Sequence, residues 1–173
     1  MQELTHYLNG AHVKGTSGRF ADVYNPATGE VQAKVPLAGE AELDQAVKYA
    51  MAAQPAWAAV NPQRRARVMM KFVDLLNRDM DKLAEALSRE HGKTLPDAAG
   101  DVQRGLEVVE YCIGAPELLK GDFTDSAGPG IDMYSMRQPL GVSAGITPFN
   151  FPAMIPMWMF APAIVCGNAF ILK

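Results

Sequence analysis

The residue best suited to chemistry is Asn150, in Thr147-Pro148-Phe149-Asn150-Phe151-Pro152. It lies inside a stretch, Gln138 to Leu172, that contains no Asp, Glu, Lys, Arg or His. A side-chain amide can donate to an oxygen that gains negative charge in a transition state, and losing one such donor typically costs about 10²–10³ in rate. Asparagine is also common in turns, where it satisfies backbone groups locally, so the residue pattern alone leaves both roles open. No nucleophile signature is complete: there is no G-x-S-x-G elbow, no paired Cys and His, and no Walker loop. Gly128-Pro129-Gly130 has the wrong continuation for a dinucleotide fingerprint. His6, His12 and His91 lack ligand spacing, so no metal is expected. Cys112 and Cys166 sit among apolar residues and read as small core side chains rather than a disulfide framework.

The 173 residues suffice for one domain of ordinary size, and a composition 49% hydrophobic and 20% charged is globular. The formal net charge is -3 and the basic residues are scattered, which argues against nucleic acid as a partner. Arg64, Arg65 and Arg67 form the only basic knot and read as the solvated face of a helix. The charge-free run approaches the roughly 20 residues of a membrane span. Pro152, Pro156 and Pro162 interrupt it and Gly167-Asn168 ends it, so a helix buried in a protein core is the expectation, with no membrane partner. The first fifteen residues hold no apolar signal region, and a reduced compartment is the default.

The elements that must position Asn150 follow from periodicity. Residues 5 to 14 and 19 to 35 read as short strands, with Asn25-Pro26-Ala27-Thr28-Gly29-Glu30 as a turn between two of them. Leu43, Ala46, Val47, Ala50 and Met51 follow an amphipathic helical stripe. Asn61-Pro62 starts a second helix, continued by Met69, Phe72, Val73 and Leu76. Asp79 is placed to cap a third, which stops at Gly92, and a fourth runs from about Pro96 to Ile113. Gly121 to Gly130 reads as a loop and Ile131 to Gln138 as an exposed strand. Gly141 to Ile146 reads as a buried strand, followed by the proline-punctuated helix and a strand from Ala169. Strand, helix, strand is a βαβ unit, which gives a parallel sheet, with ligands outside the carboxyl ends of the strands. Thr147 to Asn150 and Lys173 both fall at such ends.

Four segments in this order carry a resemblance: Asn25 to Glu30, Pro139-Leu140-Gly141-Val142, Thr147 to Pro152, and Gly167-Asn168-Ala169-Phe170-Ile171-Leu172-Lys173. Together they resemble the N-terminal part of the aldehyde dehydrogenase superfamily, over essentially the whole chain. The string Phe149 to Phe160, with Cys112-Ile113-Gly114-Ala115-Pro116, is most similar to its CoA-acylating branch, whose semialdehyde substrates carry a carboxylate.

The resemblance implies an α/β fold: the N-terminal part of a Rossmann-like parallel-sheet NAD-binding domain, with preceding helices and an oligomerisation arm at about 122–139. It implies NAD as cofactor, coenzyme A as acyl acceptor, a small semialdehyde substrate and a homo-oligomer, in the bacterial cytoplasm or the mitochondrial matrix. Asn150 matches the family's oxyanion-hole amide. Ile146, Thr147, Pro148 and Phe149 match the loop beside the nicotinamide half of NAD, and Lys173 matches the lysine on the adenine-side ribose. Phe151 and Trp158 match aromatic positions near the aldehyde tunnel, where core packing is the plainer role. Arg104 matches the arginine that holds the substrate carboxylate. By periodicity it lies off the core stripe, on the face of Asp101 and Glu107, where a surface ion pair is the alternative. The family's cysteine nucleophile and phosphate-binding helix lie beyond the match to Lys173, so residues 1–173 are expected to be a partial NAD-binding domain without the catalytic domain, inactive alone. A hydrolytic relative of another branch and a non-catalytic remnant stay open beside the CoA-acylating enzyme.

Overall fold

The structure is a computed structural model that describes residues 2–173. The N-terminal quarter is built from short strands. β1 (Gln2–Glu3) pairs parallel with β5 (Val31–Pro36), and β4 (Phe20–Tyr24) pairs antiparallel with β5. β2 (His6–Leu8) and β3 (Ala11–Val13) form a separate hairpin. The stretch 5–14 is therefore two strands, turned by Asn9 (φ 51°) and Gly10 (φ 77°). Asn-Gly supplies the two left-handed residues that a tight hairpin turn demands. The Asn25 to Glu30 turn closes as expected: the Asn25 carboxamide accepts from the Ala27 N–H at 3.0 Å, and the Asn25 N–H donates to the Glu30 carbonyl at 2.8 Å.

Four long helices follow: α1 (Glu40–Ala58), α2 (Pro62–Arg78), α3 (Met80–His91) and α4 (Leu95–Ile113), with the short α5 (Ala115–Leu118) after them. Asn61 caps α2 as its sequence suggests, accepting from the Gln63 N–H at 2.8 Å. Asp79 takes the cap position of α3 but its carboxylate does not cap. It is held instead by ion pairs with Arg78 and Lys82. Gly92 ends α3 at φ 84°, and a Cβ there would come within 2.8 Å of the Pro26 ring.

The stripe read along α1 is only half-buried, with Leu43 and Met51 facing outward and no residue of the helix fully buried. The core lies further on. Val102, Leu106 and Val109 of α4 pack with Met69 and Leu76 of α2 and Ala84 and Leu87 of α3. Met157, Ala161 and Val165 of α6 (Met154–Val165) complete it. Each large side chain so buried contributes roughly 1.5–3 kcal/mol.

The βαβ unit forms as expected. β8 (Val142–Gly145) and β9 (Ala169–Leu172) pair in parallel, Val142 opposite Ala169 and Gly145 opposite Leu172, with α6 as the crossover. The segment read as a loop from Gly121 to Gly130 is a strand over most of its length. β6 (Phe123–Gly128) pairs antiparallel with β7 (Ile131–Tyr134), and the polar Thr-Asp-Ser sequence disguised it because nearly every residue of this hairpin faces outward. No helix among the described residues is long and apolar enough to cross a membrane.

Candidate active site

Asn150 hangs in a short loop between two anchored ends. On one side, Lys173 N–H donates to the Gly145 carbonyl and Thr147 N–H donates to the Lys173 carbonyl, both at 2.9 Å; the Thr147 hydroxyl adds a bond to that carbonyl at 3.3 Å. The parallel pair thus continues past β8 and β9 and sets Thr147 against Lys173 at the carboxyl ends. On the other side, the Phe151 carbonyl accepts from the Ile155 N–H at 3.2 Å, leading into α6. Between these ends Pro148, Phe149 and Asn150 are exposed, as is Ile146. The Asn150 amide makes no hydrogen bond within the described residues, so it is not occupied by its own turn.

Asn150, Phe151 and Arg104 line one open cleft of about 320 Å³, together with Lys93, Asp97 and Asp101. The proximity of Arg104 and Asn150 comes from the α4–α6 packing, which is tight at Gly105. A Cβ on Gly105 would stand 2.5 Å from Met157 Cε and 3.1 Å from Met154 Cα. The Trp158 indole N–H donates to the Arg104 carbonyl at 3.2 Å, pinning the same turn of α4 to α6. Trp158 itself is part-exposed rather than a core residue, and it is not among the residues that line the cleft.

The Arg104 side chain is exposed and forms no ion pair among the described residues. The surface pairing open to it from periodicity does not form: Glu107 accepts from Gln103 at 3.4 Å. Asp101, placed by periodicity on that same outer face, is instead fully buried. Its Oδ2 meets Lys93 Nζ at 2.7 Å and its Oδ1 accepts from the Met154 N–H at 2.7 Å. A carboxylate at the first N–H of α6 is favoured by the helix dipole. Lys93 Nζ also sits 4.2 Å above the centre of the Phe151 ring. Sequence reasoning missed both residues, because neither lies in a motif. The available signal was a charged residue at a position flanked by the core residues Ala98 and Val102.

Arg65 is a second correction. It was expected on a solvated face with Arg64 and Arg67, yet it is buried while they are exposed. Its Nε donates to the Val165 carbonyl at 2.9 Å and its Nη1 to the carbonyls of Ala58 (3.1 Å) and Val60. It thereby satisfies backbone acceptors where α1 and α6 end, which helices otherwise leave unpaired. Burial pulls its pKa down, with Cys166 opposing that shift. Asn168, also buried, locks the start of β8 to α6: it accepts from Gly141 N–H and donates to the Ala163 carbonyl, both at 3.0 Å. Cys112 is a core side chain whose thiol burial pushes up to about 11; Cys166 is only half-buried. No group of three or more metal-ligating side chains occurs among the described residues.

Residues 12–173 match the profile of the aldehyde dehydrogenase family. The chain belongs to that family. It is 53% identical over its whole length to malonate-semialdehyde dehydrogenase of Pseudomonas aeruginosa, of which it spans 35%. It is 51% identical over 170 residues to the mitochondrial, acylating methylmalonate-semialdehyde dehydrogenase of Arabidopsis thaliana, of which it spans 28%. Among solved structures, a Sinorhizobium meliloti protein provisionally described as methylmalonate-semialdehyde dehydrogenase, in complex with NAD, superposes with a TM-score of 0.99. It is 69% identical, and the match covers all of this chain and 35% of that one. The chain thus has the fold of the N-terminal third of a full-length aldehyde dehydrogenase.

Proposed function

We propose that residues 1–173 are the N-terminal portion of an NAD-dependent, CoA-acylating aldehyde dehydrogenase, a partial NAD-binding domain whose catalytic domain follows. Its reaction is the oxidation by NAD of methylmalonate semialdehyde with CoA to propionyl-CoA, and of malonate semialdehyde to acetyl-CoA, the substrate carboxylate leaving as carbon dioxide in each case, as in valine and myo-inositol catabolism. The observation that carries this reading is the cleft in which an unpaired guanidinium, Arg104, and an uncommitted amide, Asn150, face the same space. One matches a substrate carboxylate through a bidentate fork, and the other matches the oxygen of the aldehyde carbon. Names given to these three relatives, two of them described as acylating and each a dehydrogenase of malonate or methylmalonate semialdehyde, support the same substrate class.

The division of labour within the loop follows from its two anchors. Ile146 to Phe149 and Lys173 stand at the exposed carboxyl ends of parallel strands, where open α/β sheets take ligands. That placement fits NAD, with Ile146 to Phe149 beside the nicotinamide half and Lys173 at the adenine-side ribose. NAD, when bound, accepts the hydride that leaves the substrate carbon. Asn150 donates to the oxygen that becomes negative when a cysteine of the catalytic domain adds to the aldehyde. Phe151 and Trp158 bound the substrate side. The exposed hairpin β6–β7, within the arm at about 122–139, is assigned to contact between subunits. A bacterial enzyme of this kind would act in the cytoplasm and a eukaryotic one in the mitochondrial matrix.

The test is kinetic, in the full-length enzyme. Asn150→Ala is expected to lower kcat by about 10²–10³. Arg104→Ala is expected to lose kcat/KM with methylmalonate semialdehyde while keeping it with propanal; equal loss with both would defeat the carboxylate assignment. Formation of free methylmalonate rather than propionyl-CoA would favour a hydrolytic enzyme instead.

A further inference from the structure

Asn150 can act only if its loop holds still, yet it lies outside every regular element and, among the described residues, none of its own polar atoms is tied down. At Thr147 the loop is fixed by backbone bonds to Lys173. At its far end, the fixing atoms come from α4 and from the turn before it. Lys93 places its ammonium 4.2 Å above the Phe151 ring, the residue directly after Asn150. Asp101 accepts from the Met154 N–H at 2.7 Å, so it holds the first turn of α6. The two are joined to each other at 2.7 Å, with the carboxylate fully buried and the ammonium side chain 14% exposed. Two contacts of one assembly, joined to each other, therefore meet residues 151–154. A pair this enclosed has few other arrangements open to it, since separating the charges would leave one buried and unpaired.

We propose that the Lys93–Asp101 pair is a positioning device for Asn150, clamping the residue 151–154 end of its loop to α4 so that the amide faces the cleft shared with Arg104. This rests on the oxyanion role given to Asn150 above. Lys93 and Asp101 are positioning residues: they act through Phe151 and Met154 and need not touch substrate. The arrangement also accounts for a lysine that lines the cleft while its charge is already committed to Asp101.

Two measurements on the full-length enzyme test the clamp. The first is a double-mutant cycle. Lys93→Met is expected to lower kcat at least about tenfold with KM for NAD changed less than about twofold, and Lys93→Arg to restore most of it. In an Asn150→Ala background the same Lys93→Met change should alter kcat less than about threefold, because the group it positions is already gone. Equal losses in both backgrounds, or wild-type kcat in Lys93→Met, overturn the positioning role. The second is hydrogen exchange, which does not depend on activity. The Met154 amide is expected to exchange at least about tenfold faster in the Lys93→Met/Asp101→Leu double variant, which removes its acceptor, with α2 amides unchanged. The double variant leaves neither charge unpaired, so it separates loss of the clamp from misfolding. Unchanged Met154 protection overturns the clamp whatever the kinetics show. If Asn150→Ala keeps full kcat, the oxyanion reading fails, and the exchange result still decides whether the pair holds the loop.

Discussion

Replacing Arg65 by methionine is expected to destabilise this chain by about 2–4 kcal/mol, the residue of larger opposing effects. The guanidinium donates to three backbone carbonyls, those of Val165, Ala58 and Val60. A hydrogen bond from a charged group is worth about 1.5–3 kcal/mol, and its loss leaves a buried acceptor orphaned. Against that, the buried cation has no carboxylate partner among the described residues. Removing it recovers several kcal/mol of desolvation. Methionine fills much of the volume, so the cavity contribution is small. Arg65→Lys keeps the charge but not the planar fork, and should fall between the two. Arg64→Met and Arg67→Met, at exposed positions, should stay within about 0.5 kcal/mol. Urea unfolding followed by tryptophan fluorescence is a suitable assay, because the Trp57 indole donates to the Ile164 carbonyl at 2.7 Å and so reports from the same junction. A loss at Arg65 no larger than at Arg64 would refute the argument that carbonyl satisfaction at the α1 and α6 ends outweighs desolvation.

Other consequences are narrower. Gly105→Ala should cost about 1–3 kcal/mol: the Met157 side chain can swing aside, but the Met154 backbone at 3.1 Å must give, and urea titration of the variant reads the loss. The same change is expected to shift Arg104 relative to Asn150, lowering kcat/KM for the carboxylated aldehyde more than stability alone explains. Burial holds the Cys112 thiol protonated to about 11, above its ordinary value near 9.0, so the unfolded chain gives up that proton first as pH rises. Its contribution to stability is complete below pH 9.0 and is lost between there and about 11. Iodoacetamide at pH 8 should leave Cys112 unmodified in the folded chain, and rapid labelling there would contradict the burial.

Local signals were legible wherever the physics is local. Asn61-Pro62 caps and starts α2, Gly92 ends α3 and Asn25 to Glu30 turns, because a cap or a tight turn is closed by atoms within a few residues of one another. The βαβ unit and the position of Thr147 to Asn150 at its carboxyl end were legible for a related reason: a charge-free run between two β-prone segments has few places to go. The β6–β7 hairpin was not legible as such, since an outward-facing pair carries no buried stripe.

Charged residues mark the boundary most clearly. Arg65 and Asp101 look in the sequence like members of solvated faces, and helical periodicity puts them beside exposed neighbours. Whether a charge is buried depends on what a distant segment brings against it. For Arg65 that is the Val165 carbonyl, which joins the nearby carbonyls of Ala58 and Val60; for Asp101 it is the Met154 N–H, which joins the nearby Lys93. Those partners are up to 100 residues away along the chain. The sequence by itself determined the family, the four long helices, the βαβ unit and the place of the Asn150 loop at its carboxyl end. Only the tertiary structure decided that Arg104 stands unpaired beside that loop and that the Lys93–Asp101 pair meets its far end, because Asp101 and Met154, 53 residues apart in the chain, come together only after α4 and α6 have packed.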